Sequence, residues 1–244
     1  MGGDEWSGDM LTDERSSIEA IHAGGGKVFK AGGRDLFDRQ GDLLDLPILH
    51  SPVGNEVLSQ FADMDPHDPE VLPRSLSRFQ QAASIAHFQT PEYRREIDNF
   101  HAHGSKCYTY MNPMPSVFFP EIHRRNLGLG LWRAGFDGMM NWSYNHMVGT
   151  VTTQSWTWSY VWRTEDGVID TLGWEALREG VDDVRYLTTL LSLVNRASGP
   201  YSQDPLVRET FRWLGEVDVQ AGNLNQIRAE MARHIEALSV LGRK

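Results

Sequence analysis

The sequence predicts an α/β protein built around a parallel sheet. Two observations carry that reading. Short β-prone runs alternate with amphipathic, helix-length segments, giving four strand-to-helix steps after an initial helix. Polar or aromatic residues also recur where each of those strands should end: Lys30 and Gly32, His50 and Ser51, Tyr110 and Asn112, then Trp142, Tyr144 and Asn145. Four such steps make either the second half of a (β/α)8 barrel or a small open sheet, and in a barrel the chemistry sits at those strand ends.

Residues 9–24 read as a helix with Leu11, Ile18 and Ile21 on one face, stopped by Gly24-Gly25-Gly26. KVFKAG (27–32) is a first strand, followed by a turn and a brief polar segment, and LPILHS (46–51) is a second. A short helix over 54–61 and a Pro/Asp-rich loop over 63–73 lead to a helical region at 76–103, capped or broken at Thr90-Pro91. KCYTYMN (106–112) is a strand, 121–135 a helix weakened by Gly128 and Gly130, and GMMNWSYN (138–145) a further strand. Trp156, Trp158, Tyr160 and Trp162 alternate with smaller residues, the period of one aromatic strand face, and Glu165-Asp166-Gly167 turns that strand back through VIDTL. A long helix over 174–197 places Leu187, Leu190, Leu191 and Val194 inward. Helices near 204–215 and 222–241 close the chain. Residues 1–200 are expected to form the main α/β unit, with 201–244 as helices packed on it.

Composition narrows the function. The 244 residues are 40% apolar and 23% charged, as in globular proteins. Acidic residues outnumber basic ones 33 to 23, and the formal charge of -10 disfavours nucleic acid and anionic lipid as partners. No apolar run has the roughly 18 residues of a membrane span. The start, MGGDEWSGDM, has no signal-peptide pattern. One cysteine, Cys107, excludes an internal disulfide and a multi-cysteine zinc site, and leaves the compartment open. Eight tryptophans, six of them between Trp132 and Trp174, suit either a large core or a cleft lined with aromatic faces for sugar rings.

Individual motifs are weak. The Asp4-Glu5 pair is in isolation a solvated pair near a helix start. At a strand end, two neighbouring carboxylates can divide the work on a sugar: one donates a proton, the other stays ionised. WEALREGVDDVRYL (174–187) offers the ion pairs Glu175–Arg178 and Asp182–Arg185. His101 and His103 lie at a helix end without a third ligand, and HExxH is absent, so no metal is expected. His50, at a strand end, is the one histidine placed in a cleft. GxGxxG and GxxxxGK[ST] are absent too, and no cofactor is expected.

Taken together, YMNPMPSVFFPEIHRRNLGLGLWRAGFDGMMNWSY (110–144), DGVIDTLGWEALREGVDDVRYLTTL (166–190) and GGDEWSGDMLTDERSSIEAIHAGGGKVFKAGG (2–33) resemble the catalytic domain of glycoside hydrolase family 123 and its relatives carrying domain of unknown function 4091. The resemblance runs over most of residues 2–195. It implies a (β/α)8 TIM-type barrel and hydrolysis of β-linked N-acetylgalactosaminides with retention, the sugar's own 2-acetamido oxygen serving as nucleophile. Asp4 would then orient the acetamido group, and Glu5 would be the general acid and base. Tyr110, Asn112, Trp142, Tyr144, Trp174 and Glu175 match positions expected to line the sugar site, alongside His50. The expected partner is an amino-sugar glycoside.

A barrel strand should precede Asp4-Glu5, and only Met1-Gly2-Gly3 does. The expectation is therefore the C-terminal part of the barrel, lacking its first strands and completed by the missing half or by self-association. The rival readings are a non-catalytic carbohydrate-binding protein and a structural fragment of a larger barrel.

Overall fold

The computed structural model describes residues 8–33, 35–50, 89–110, 120–140, 144–145 and 160–241. Four strands form one sheet: β1 (Phe29–Gly32), β2 (Leu46–His50), β3 (Tyr108–Tyr110) and β4 (Gly138–Met139). They lie in the order β1-β2-β3-β4 and every pairing is parallel. The protein is thus a mixed α/β fold with neighbouring strands taken in chain order. Leu49 pairs with Thr109 and His50 with Tyr110, so β2 and β3 end level with each other. The helices expected over 54–61 and 76–88, and the loop over 63–73, lie outside the described residues.

Strand alternation sends Leu49, Cys107 and Thr109 to a helix-covered face, where all three are buried. Helices α1 (Asp9–Asp13), α2 (Arg15–Ala23), α3 (Leu36–Gln40), α4 (Pro91–Ala102), α5 (Pro120–Leu127) and α6 (Leu129–Ala134) supply that layer. Leu11, Ile18, Leu36, Ile97 and Phe100 pack there with Leu49 and Cys107 in one cluster. The Thr90-Pro91 signal marks the true start of α4, with the Thr90 hydroxyl accepting from the Tyr93 N–H at 3.5 Å.

Several expectations need correction. The helix over 9–24 breaks at Glu14, which turns inward to meet Lys30 of β1 at 2.6 Å, and Ile21 ends 46% exposed rather than in the core. The segment after β1 holds α3, too short to show a helical period but carrying buried Leu36 and Gln40. The helix over 121–135 is two helices, broken at Gly128. Of the strand expected over 138–145, Gly138–Met139 pairs among the described residues, and 141–143 lie outside them. The hairpin itself is present as β5 (Val161–Arg163) and β6 (Val168–Asp170), antiparallel around Glu165-Asp166-Gly167. Around its start Tyr160 and Val161 are buried while Trp162 is 38% exposed; Trp156 and Trp158 of the expected aromatic face lie outside the described residues.

The hairpin leads into α7 (Leu172–Ser198), followed by α8 (Pro205–Glu216) and α9 (Leu224–Leu241). Leu187, Leu190 and Val194 of α7 pack with Val207, Leu214, Ile227 and Met231 in a second cluster that also takes Leu129 from α6. Helix α7 touches the first core as well, through Trp174 and Leu177. Arginines of α5 and α6 tie the C-terminal helices down: Arg125 donates to the Val219 and Gly222 carbonyls, and Arg133 to those of Leu214 and Val217, all at 2.8–3.0 Å.

Glycine at the break is required by close packing. There α5 crosses α7 at Gly180, and a Cβ on Gly180 would stand 2.8 Å from the Arg124 carbonyl oxygen. One on Gly128 would lie 2.9 Å from the Gly180 Cα. Backbone, not a flexible side-chain end, would have to move. Gly180→Ala is therefore expected to cost about 1–3 kcal/mol, read as a lower midpoint in urea with an unchanged slope. A wild-type midpoint would refute the close crossing.

Candidate functional site

The C-terminal edge of the sheet carries His50 and Tyr110 as register partners on adjacent strands. Helix α4 holds this edge through two residues one turn apart. The Tyr93 hydroxyl donates to the His50 carbonyl at 3.0 Å. Glu96 accepts the Phe37 N–H at 2.6 Å, in the first turn of α3. Glu96 thereby does what the preceding residue does not, since Asp35 makes no side-chain cap to α3 and instead accepts from the Gly8 N–H. The half-buried His50 ring lies near Gly33, where an added Cβ would stand 3.8 Å from Cε1.

Lys30, placed among the strand-end polar groups from the sequence, belongs elsewhere. It is buried on the helix side of β1 and ion-paired with Glu14, which also receives the Gln40 amide at 3.3 Å.

A second group assembles beyond β4. Tyr144, 52% exposed, packs edge-on against Trp174, with ring centroids 5.5 Å apart. Trp174 also meets the buried Tyr160 ring at 6.0 Å. Three backbone segments fix this arrangement. The Tyr144 carbonyl accepts from the N–H groups of Tyr160 and Val161. Thr171 donates its hydroxyl to the Tyr160 carbonyl at 2.7 Å and accepts the Trp174 N–H at 3.2 Å, so one side chain both caps α7 and fastens it to the hairpin.

Glu175 points to a third place. It lines an open cleft of about 380 Å³ between the first turns of α5, α7 and α9, together with Glu121, Arg124, Glu179 and Asn225. The three carboxylates are all ion-paired, Glu175 with Arg178, Glu121 with Arg125 and Glu179 with Arg228. The expected Asp182–Arg185 pair forms as well, at 2.9 Å.

Of the candidate residues, then, the structure brings together His50 with Tyr110, and Tyr144 with Trp174. Among the described residues no hydrogen bond or ring contact joins His50 to Tyr144, Trp174 or Glu175. Asp4, Glu5, Asn112 and Trp142 lie outside the described residues, as does the side chain of Tyr110. His101 is half-exposed at the end of α4 and pairs with Asp137 at 2.9 Å. Among the described residues, no group of three His, Cys, Asp or Glu side chains could hold a metal, and no helix is long and apolar enough to cross a membrane.

Among the buried titratable groups that no motif marks are His123 and Glu96. His123 sits on α5, 1% exposed, its Nε2 3.0 Å from the Tyr160 hydroxyl. Burial pushes its pKa down to about 4, so the imidazole is neutral at ordinary pH. Glu96 is equally buried, and desolvation raises it to about 7 against the pull of the Phe37 N–H, with Asp38 adding to the rise. No motif marks either residue; a polar side chain at an inward helical position is the only signal, and it is read only after the face is known.

Glu96 gives stability a defined pH dependence. Its folded pKa lies above the ordinary carboxyl value of 4.5, so its contribution is whole below that pH and is lost as pH rises through about 7. Glu96→Gln keeps an acceptor for the Phe37 N–H and removes the buried charge. The variant should gain on wild type between pH 5 and pH 8, by on the order of 2 kcal/mol at the upper end. Thermal midpoints at the two pH values check this, and a difference that does not change with pH would contradict it.

No protein-family model matches the chain, and no curated protein sequence matches it significantly.

Proposed function

We propose that the chain is a glycoside hydrolase whose sheet is a segment of a (β/α)8 barrel, acting on a terminal β-linked 2-acetamido sugar. The observation that carries this reading is the strand order. A barrel lays its parallel strands side by side in chain order, as β1 to β4 lie, and builds its site at their C-terminal ends. Two features add support. His50 and Tyr110 end adjacent strands level with each other, and exposed Tyr144 with partly buried Trp174 offers an aromatic surface suited to the C–H face of a sugar.

In this reading the substrate's acetamido oxygen attacks the anomeric carbon as the glycosidic bond breaks, and Glu5 gives its proton to the leaving oxygen. Asp4 holds the acetamido group and balances the positive charge of the cyclic intermediate. Water then attacks the anomeric carbon and opens that ring as Glu5 takes a proton from the water, and configuration is retained.

The Tyr144–Trp174 pair also fits a second reading, a protein that binds carbohydrate without cleaving it. Sugar-dependent quenching of tryptophan fluorescence without product would favour that alternative.

The test is release of nitrophenol from a panel of aryl glycosides, β-N-acetylgalactosaminide among them. Turnover is expected only with 2-acetamido sugars, and Glu5→Gln and Asp4→Asn should each lower kcat by about 10²–10⁴. Hydrolysis at wild-type rate in either variant, or equal rates on sugars lacking the acetamido group, would remove the mechanism.

A further inference from the structure

We propose that His123 is a positioning residue for the Tyr144–Trp174 surface, acting through Tyr160. The inference rests on the reading of that surface as part of a carbohydrate site. A continuous chain of contacts runs from the inside of α5 to the Tyr144–Trp174 pair. His123 Nε2 and the Tyr160 hydroxyl are 3.0 Å apart, with their rings at 5.2 Å and inclined by 61°. The Tyr160 ring meets Trp174 at 6.0 Å, and Trp174 meets Tyr144 at 5.5 Å, each edge-on.

The backbone of Tyr160 is already pinned by Tyr144 and Thr171 on either side. With its backbone so held, the Tyr160 side chain meets the His123 ring by contact and by a directional hydrogen bond, and both restrict its rotation. Trp174 is only partly buried, so the packed Tyr160 ring is one of the surfaces that set its rotamer. His123 suits the task because it is enclosed and stays neutral; the link does not open in ordinary buffers. Among the described residues its buried Nδ1 has no hydrogen-bond partner, a cost that a leucine or phenylalanine would avoid. A polar ring kept there at that cost is explained by the bond its other nitrogen makes. A rigid wall binds a sugar better than a mobile one because less side-chain freedom is lost on association.

The experiment uses near-ultraviolet circular dichroism, which reports tryptophan packing, on His123→Phe, Tyr160→Phe, His123→Gln and Trp174→Phe. Tyr160→Phe deletes only a hydroxyl and serves should His123→Phe fail to fold. His123→Phe and Tyr160→Phe should lose the spectral contribution that Trp174→Phe identifies, with the far-ultraviolet spectrum unchanged. His123→Gln, which can still bond the Tyr160 hydroxyl, should restore it. On a 2-acetamido glycoside, the first two variants should raise KM about threefold to tenfold with kcat within about twofold, the pattern of weakened uniform binding. Wild-type tryptophan spectra in both variants would overturn the proposal, as would a kcat defect with unchanged KM. Loss of the Trp174 signal in a protein that hydrolyses no glycoside supports the positioning role and counts against the hydrolase reading instead.

Discussion

The carboxylate of Asp183 organises much of this molecule. It is fully buried in the middle of α7 and accepts two hydrogen bonds from Arg124 of α5, at 2.7 and 2.9 Å, and one from Arg228 of α9 at 2.6 Å. A buried charge without partners costs several kcal/mol, and one that is fully paired constrains every helix that supplies a partner. Arg124 reaches on to Asn225 and Arg228 to Glu179, so the network specifies rotation and translation of three helices at once. It works only because α5 and α7 touch backbone to backbone at Gly128 and Gly180, close enough for the short Asp183 side chain to meet the Arg124 guanidinium. Charge pairing and glycine contact thus form one constraint, and Leu187, Leu190 and Val194 fill the space it defines.

This constraint reaches the candidate site because α7 begins there. Its first turn carries Trp174 and Glu175, and its cap Thr171 is bonded to the Tyr160 carbonyl. With α7 fixed against α5, His123 on α5 and Tyr160 before β5 are brought into register. The sheet edge is fixed independently, by Tyr93 and Glu96 of α4. Two supports therefore serve two groups of residues: α4 for His50, and the α5–α7 pair for Tyr144 and Trp174.

Much of the fold was legible because it rests on period and punctuation. Thr90-Pro91, the Glu165-Asp166-Gly167 turn and the leucine spacing of α7 are local signals with local causes, and the structure places each where it was expected. What could not be read depends on partners far along the chain. Gly128 looks like a weak helix residue until Gly180 lies against it. Glu14 looks like an exposed helix residue until Lys30 is opposite, and that pair accounts for the removal of Lys30 from the strand-end set. Tyr160 turns inward and Trp162 outward, a difference that aromatic alternation alone does not signal. For the proposed site, the sequence singled out Tyr144 and Trp174 by residue type and missed the residues that hold them, His123 and Thr171.

That asymmetry follows from the architecture. In a plain βα unit the loop after a strand leads straight into the next helix, and the strand end alone sets where the first helical turn presents its side chains. Between β4 and α7 a hairpin intervenes, and it delivers the chain to α7 from outside the parallel sheet. The position of Trp174 is then no longer dictated by a strand end. It has to be set by the cap at Thr171, by the Tyr160 ring behind it and by the anchoring of α7 at Asp183, three determinants widely separated in sequence. A tryptophan placed by three rigid elements can be exposed on one side and still hold a single orientation, which a flat sugar face requires of an aromatic partner.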